Sequence, residues 1–204
     1  MSPSAEALNV SRETFEKLDL FADLLQKWNP HINLVAKSTI GSLWDRHIRD
    51  SLQVSRIVEK EVAHWVDLGS GGGFPGLVVA ILAVEAGNLG SVTLVESDQR
   101  KATFLRTVLR ETETPGSVIS QRIEEVEPLK ADVLSARALA KLTTLLEFSE
   151  RHLNEGGQCL FQKGKNWKSE VQSARTSWHF SYDAIQSQTE SEAVVLNIRE
   201  LTRV

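Results

Sequence analysis

The chain has 204 residues, 41% hydrophobic and 25% charged, which is enough for one sizeable core and a modest extension. One cysteine, Cys159, excludes an internal disulfide and a zinc cluster, and its apolar setting reads as core. The longest apolar run, around residues 77–86, is interrupted by Glu85 and is too short to span a bilayer; with no secretory pattern at the first residues, a cytoplasmic protein without membrane contact is expected.

The formal net charge of −4 argues against nucleic acid as a partner, but the charge is uneven. Residues 1–60 carry eight basic and eight acidic side chains, residues 61–134 six against eleven, and residues 135–178 seven against four. The last stretch includes Lys163, Lys165 and Lys168, and a local basic face can hold phosphates on an acidic molecule. A solvated strand end followed by a charged helix has the same composition, so the strip decides nothing by itself.

In chain order, residues 1–60 read as a helical extension and 61–204 as a single α/β unit. Ser11 caps an amphipathic helix over residues 11–28, with Leu18, Phe21, Leu25 and Trp28 on one stripe and Asn29-Pro30 stopping it. Thr39 is the expected cap of a second helical stretch holding Leu43, Trp44, His47 and Ile48. From about residue 62 strands and helices alternate, the signature of a parallel sheet. Strands are expected at His64-Trp65-Val66, Val92–Glu96, Val118-Ile119, Asp132–Ser135 and Gln158–Gln162, with crossover helices over 77–83 and 99–110. A helix with Leu142, Leu145 and Leu146 ends at Asn154 and Gly156-Gly157, and Phe180–Ile185 with Ala193–Ile198 forms a closing antiparallel pair.

The sharpest local signal is Asp67-Leu68-Gly69-Ser70-Gly71-Gly72-Gly73-Phe74-Pro75-Gly76, between the first strand and a helix opened by Pro75. Glycines let the backbone turn tightly and approach a ligand, delivering it to a helix N-terminus. Gly71-x-Gly73-x-x-Gly76 also satisfies the dinucleotide fingerprint, a weak pattern taken alone. Two features favour S-adenosylmethionine over a nicotinamide cofactor. Asp67 stands where its carboxylate can take a hydrogen bond from the cofactor's ammonium group, and the chain is short for a dehydrogenase. Glu96, closing the second strand, is placed to accept both ribose hydroxyls. The fold class is therefore α/β, a class I, Rossmann-like methyltransferase fold: a mostly parallel seven-stranded sheet with an N-terminal helical extension.

The methyl acceptor is narrowed by what is missing. Exocyclic-amine methylation generally uses an Asn/Asp-Pro-Pro-aromatic tetrad after the fourth strand, where this chain has Ser135-Ala136-Arg137-Ala138. Carbon-5 pyrimidine methylation needs an accessible cysteine nucleophile, and Cys159 falls inside a strand. A ring nitrogen or an activated hydroxyl remains. Guanine N7 has a free lone pair at neutral pH and needs positioning more than a general base.

Trp28-Asn29-x-x-Ile32-Asn33-Leu34, Arg46-His47-Ile48-x-Asp50-Ser51, Asp67-x-Gly69-x-Gly71-x-Gly73-x-Pro75-Gly76, Ser135-x-Arg137-Ala138 and Lys163-Gly164 occur in this order. Together they resemble the small-subunit ribosomal RNA methyltransferase G family. The resemblance implies methyl transfer from S-adenosylmethionine to N7 of a guanine in the decoding-region hairpin of 16S rRNA, with the small ribosomal subunit as partner; a monomer without a metal is expected. Ser135-Ala136-Arg137 departs from the family pattern by an extra alanine, which leaves Ser135 less firmly placed than Arg137. Gly69 and Phe74 would contact the cofactor, Ile123-Glu124 would flank its adenine, and Arg137 would complete the site. His47 and Asp50, on one face of a short helix, are expected on the substrate side, with Arg46, Lys163, Lys165 and Lys168 against RNA. A methyltransferase acting on a small molecule or a protein, or a nicotinamide-dependent reductase, stays open on the residues alone.

Overall fold

The computed structural model describes residues 3–58 and 60–204. Ser4 caps the single turn α1 (Ala5–Leu8). Ser11 caps α2 (Arg12–Ile32), its hydroxyl accepting the Thr14 N–H at 3.1 Å. Leu18, Phe21 and Leu25 are fully buried, as the stripe predicts. Asn29-Pro30 does not stop the helix. A proline this close to the end removes one N–H and little else, and α2 closes instead at Asn33, left-handed at φ 47, whose N–H reaches the Asn29 carbonyl at 3.1 Å. The buried Asn29 side chain then accepts the Val35 N–H at 2.8 Å, turning the chain back over the sheet.

Thr39 is not a cap. Lys37–Ser42 winds as a 3₁₀-helix and Trp44–Arg49 as a π-helical turn, leading into α3 (Asp50–Ser55). Thr39 lies inside the first of these and donates its hydroxyl to the Ala36 carbonyl at 2.8 Å. The π turn buries His47 and Ile48, and such turns frequently accompany functional sites.

The remaining elements are β1 (Val62–Leu68), α4 (Gly76–Ala86), β2 (Leu89–Val95), α5 (Gln99–Glu111), β3 (Ser117–Ile119), β4 (Ala131–Arg137), α6 (Leu142–His152), β5 (Leu153–Lys163), α7 (Trp167–Ala174), β6 (Trp178–Gln186) and β7 (Val194–Arg203). The seven strands lie in the order β3-β2-β1-β4-β5-β7-β6. β1 to β5 are mutually parallel, and β7 pairs antiparallel with both β5 and β6. The strand order reverses between β1 and β4, where open α/β sheets hold their ligands outside the carboxyl ends. Gly156-Gly157 does not end α6, which stops at His152 and runs directly into β5. Leu153 pairs with Ala131 but Gln158 with Val133, so the glycines fall in a bulge, with Gly156 at φ 73.

Alternate residues of the strands feed two cores. Trp65, Val133, Leu160 and Val195 pack with α2, α4 and α5 on one face. Val66, Leu134, Cys159, Phe161 and Leu196 pack with α6 and α7 on the other. The N-terminal helices thus cover one face of the sheet and bring the segment 34–50 to the carboxyl ends of β1, β4 and β5.

Candidate active site

The loop between β1 and α4 turns on three left-handed glycines, Gly69 at φ 63, Gly71 at φ 53 and Gly73 at φ 92. Backbone bonds brace it: Ser70 N–H to the Val95 carbonyl at 3.0 Å and Gly73 N–H to the Ser70 carbonyl at 2.7 Å. Glu96 adds a third brace. One carboxylate oxygen accepts the Gly71 N–H and the other the Asp98 N–H, each at 2.8 Å. Each oxygen keeps a further lone pair for a ligand.

A cleft of about 490 Å³ opens above this loop, at the carboxyl ends of β1, β2 and β4. Its walls include Gly69, Gly71, Phe74, Glu96, Ile123, Glu124 and Arg137, all expected from the sequence. Ile123 and Glu124 sit on a 3₁₀ turn after β3. The buried His152 holds that turn, its Nε2 lying 3.0 Å from the Ile123 carbonyl. The volume suits a nucleoside-sized ligand. A carboxylate for a ribose diol and an apolar floor of Val95, Ile123 and Phe148 fit S-adenosylmethionine in chemistry as well as size.

Two expected cofactor residues stand elsewhere. Asp67 is completely buried beneath the loop, not in its mouth. The register pairs it with Ser135 across β1 and β4, and Ser135 Oγ donates to its Oδ1 at 2.6 Å while accepting from Trp65 Nε1 at 2.9 Å. Burial pushes the Asp67 carboxyl up to about 6, against the opposing pull of the Ser135 hydrogen bond. Gly73 does not line the cleft either: a Cβ there would lie 2.3 Å from Leu77 Cδ1, so this glycine admits the first turn of α4.

A second cavity, of about 460 Å³, lies beside the first and shares Leu34, Arg137 and Ala138 with it. Thr39, His47, Asp50, Gln162 and Ser187 line it. The His47 ring stacks on Phe74 at 5.1 Å between centroids, and the Arg137 guanidinium lies 4.8 Å from the same Phe74 ring centre. Burial, reinforced by the charges of Arg137 and Arg46, pushes His47 down to about 3, so the ring is neutral at physiological pH. Burial also lowers Arg137 to about 10, opposed by Asp50 and Asp67, and leaves it cationic near neutrality. Asp50 is raised by burial against the charge of Arg137 and the hydroxyls of Ser187 and Thr189. Its carboxylate accepts from those hydroxyls at 3.1 and 3.2 Å and from the Gln162 amide.

The basic residues divide. Lys163, with 9% of its side chain exposed, is tied inward to Glu170 at 2.6 Å and to the Ala140 carbonyl at 3.0 Å. Lys165 and Lys168 are exposed, and Lys168 Nζ lies 5.5 Å from the Trp167 ring centre. Arg46 pairs with Glu190 at 3.1 Å on the rim of the second cavity. Gln162, Ser187 and Thr189 also surround Asp50 and are not among the residues expected at the site. Gln162 had one available signal, its place at the carboxyl end of a parallel strand, whereas nothing in the spacing brings residues 187–189 beside Asp50.

A seven-stranded sheet with this order, a glycine loop at its switch point and an acid closing β2 define the class I, S-adenosylmethionine-dependent methyltransferases. A solved methyltransferase of Aquifex aeolicus, described as SAM-dependent, has the same fold at a TM-score of 0.62 and 11% identity, covering 87% of this chain and 98% of that one. Within that class the chain belongs to the family described as rRNA small subunit methyltransferase G, whose pattern matches residues 14–200. The ribosomal RNA small subunit methyltransferase G of Ruegeria pomeroyi is 58% identical over 100% of both chains. The protein of the same name from Ruegeria sp. strain TM1040 is 52% identical over 97% of this chain and 96% of its own length. No helix among the described residues is long and apolar enough to cross a membrane.

Proposed function

We propose that the chain methylates N7 of a guanine in the decoding-region hairpin of 16S rRNA, as a single chain in the cytoplasm and without a metal. The observation that carries this reading is the pair of cavities divided by Arg137: one fits the cofactor, and the other is lined by polar groups and reaches the surface beside Arg46. Family membership supports small-subunit rRNA as the substrate.

When bound, S-adenosylmethionine supplies a methyl carbon electrophilic enough for a ring-nitrogen lone pair, with sulfur keeping the bonding pair. Glu96 would accept the ribose hydroxyls and Ile123 and Glu124 would flank the adenine, while Gly69, Gly71 and Phe74 shape the loop side of the cleft. Asp67 acts on the cofactor indirectly, holding the loop from below through Ser135. Arg137 lines both cavities and would stand between cofactor and base, where its charge also favours a polyanionic partner. His47, neutral and packed on Phe74, takes no proton, and N7 has none to give. Cys159 is buried, its thiol pushed up to about 12 by desolvation, which supports a mechanism without a cysteine nucleophile. Lys165, Lys168 and Arg46 contact the RNA backbone, and Lys163 keeps the β5–α7 turn in place through Glu170. The test is transfer of tritiated methyl groups to 30S subunits lacking the modification, followed by nucleoside analysis. N7-methylguanosine is expected, and any other methylated nucleoside refutes the reading.

A further inference from the structure

Two residues lining the second cavity, His47 and Gln162, each carry a buried acceptor atom with no hydrogen-bond partner among the described residues. Thr39 Oγ1 lies 2.8 Å from both the Ala36 carbonyl and His47 Nε2; with its one hydrogen given to the carbonyl, the ring nitrogen is the donor to Thr39. The proton of the neutral ring therefore sits on Nε2. Nδ1 is left a bare acceptor, buried and without a partner. The second acceptor belongs to Gln162. Its Nε2 donates to Asp50, whose other oxygen is occupied by Ser187 and Thr189, so the amide is turned with Oε1 away from Asp50. Oε1 is also buried and unpartnered. Both residues line the same cavity.

A buried acceptor with no donor carries a desolvation penalty, and a ligand bringing N–H groups removes it. Among the RNA bases only guanine presents two neighbouring donors on one edge, the ring N1–H and the exocyclic amine. The same edge of adenine or cytosine sets an amine beside an acceptor, and that of uracil has a single N–H between two carbonyls. A base reached by chemistry has to leave its stack, which frees this edge for reading. With that edge against His47 and Gln162, N7 would lie on the opposite side of the purine, and Arg137 is a wall that the cavity shares with the cleft.

We propose that Gln162 Oε1 and His47 Nδ1 read the target guanine through its N1–H and exocyclic amine, and that Asp50, anchored by Ser187 and Thr189, is the positioning residue that aims the Gln162 amide. This rests on the guanine-N7 reading above and adds the residues that select the base. Sites built to pair a buried N–H reject the analogue lacking it far more strongly than apolar sites reject a shape change.

The test uses the full chain and 30S subunits assembled with guanine or inosine at the target position. Inosine keeps N7, O6 and N1–H and lacks only the amine. Wild-type kcat/KM is expected to fall roughly ten- to hundredfold on inosine. Gln162→Met and His47→Phe should each lose activity on guanine, and the variant whose acceptor meets the amine should no longer distinguish the two bases. Asp50→Ala should lose discrimination and Asp50→Asn, which still accepts from Gln162, should restore it. Melting curves and S-adenosylhomocysteine titration report whether each variant is folded. Equal wild-type rates on guanine and inosine overturn the proposal without any variant. Full discrimination retained by folded Gln162→Met and His47→Phe overturns it as well. Failure of the wild type to form N7-methylguanosine removes the parent reading and this one with it, whereas equal rates on the two bases remove only this one.

Discussion

Ser135 Oγ and Asp67 Oδ1 meet 2.6 Å apart across the β1–β4 pair, at the point where the strand order reverses. Asp67 leads directly into the glycine loop, and the Ser70 hydroxyl returns to its carbonyl at 3.0 Å. The acid is thus part of the floor on which the cofactor loop rests. Burial raises its carboxyl from 3.8 to about 6, so between those values the folded chain holds a proton that the unfolded chain has lost. Folding stability from this group is fully present below pH 3.8 and declines as pH rises towards 6, by about 3 kcal/mol in all. The unfolding free energy of the wild type should therefore fall relative to Asp67→Asn between about pH 4 and 7. A difference that stays constant over that range in denaturant titrations would show a carboxyl that titrates normally.

Glu96 makes two backbone hydrogen bonds and faces the cleft, so its loss acts on both loop and ligand. Glu96→Ala should weaken S-adenosylhomocysteine binding by roughly 1.5–3 kcal/mol, the worth of charge-assisted hydrogen bonds. Calorimetry on a folded variant with unchanged affinity would remove Glu96 from the ribose site.

The glycines of the loop should separate by role. At Gly73, φ 92 and a Cβ 2.3 Å from Leu77 make any side chain a structural fault, so Gly73→Val should lower the melting temperature markedly and reduce cofactor affinity only as a consequence. At Gly71 a Cβ meets nothing closer than 3.7 Å, and only the left-handed backbone at φ 53 opposes it. Gly71→Ala should cost about 1–2 kcal/mol of stability, with its main effect on cofactor affinity. The ratio of melting shift to affinity loss in the two variants checks this, and equal ratios would contradict it.

What was legible in the sequence follows the range of the interaction that writes it. The apolar runs of β1, β2, β4 and β5, the glycine loop and the acid at Glu96 are local patterns, and they locate the cleft at the carboxyl ends of β1, β2 and β4. The true end of α2 was not legible, because the proline that normally signals a stop falls in the last turn, where one missing N–H is tolerated. The π turn that buries His47 leaves no mark in composition. Asp67 reads as a ligand contact until the β1–β4 register sets Ser135 beside it, 68 positions away. Lys163 reads as one of three exposed lysines until α7 brings Glu170 back against it.

That division of the lysines is itself testable. Lys165→Ala with Lys168→Ala should lower affinity for 30S subunits and reduce the salt slope by about one for each phosphate no longer neutralised. Lys163→Ala should instead destabilise the fold by about 1–3 kcal/mol, by leaving Glu170 without its ion-pair partner. Filter binding across a salt series, with melting curves for each variant, distinguishes the two. A Lys163→Ala protein with unchanged stability and a reduced salt slope would return that lysine to the RNA face.

The chemistry has the most direct consequence. A general base needs a pKa near the working pH, and His47 lies at about 3, held there by burial and by the cations Arg137 and Arg46. It is neutral throughout the physiological range and gains no proton in it. The guanine N7 lone pair is likewise free at neutral pH and requires no deprotonation. The single-turnover rate should accordingly stay nearly flat from about pH 6.5 to 8.5, the window in which an ordinary histidine base would finish titrating. His47→Ala should slow transfer through weaker packing on Phe74 and a missing hydrogen bond to the base, without adding or removing an inflection. A wild-type profile with a single inflection near about pH 6.5 that disappears in His47→Ala would make the histidine a base after all. Substituting 7-deazaguanine at the target, carbon in place of the nucleophilic nitrogen, should abolish transfer while leaving subunit binding largely intact. Methylation of the 7-deaza substrate would show that N7 is not the acceptor.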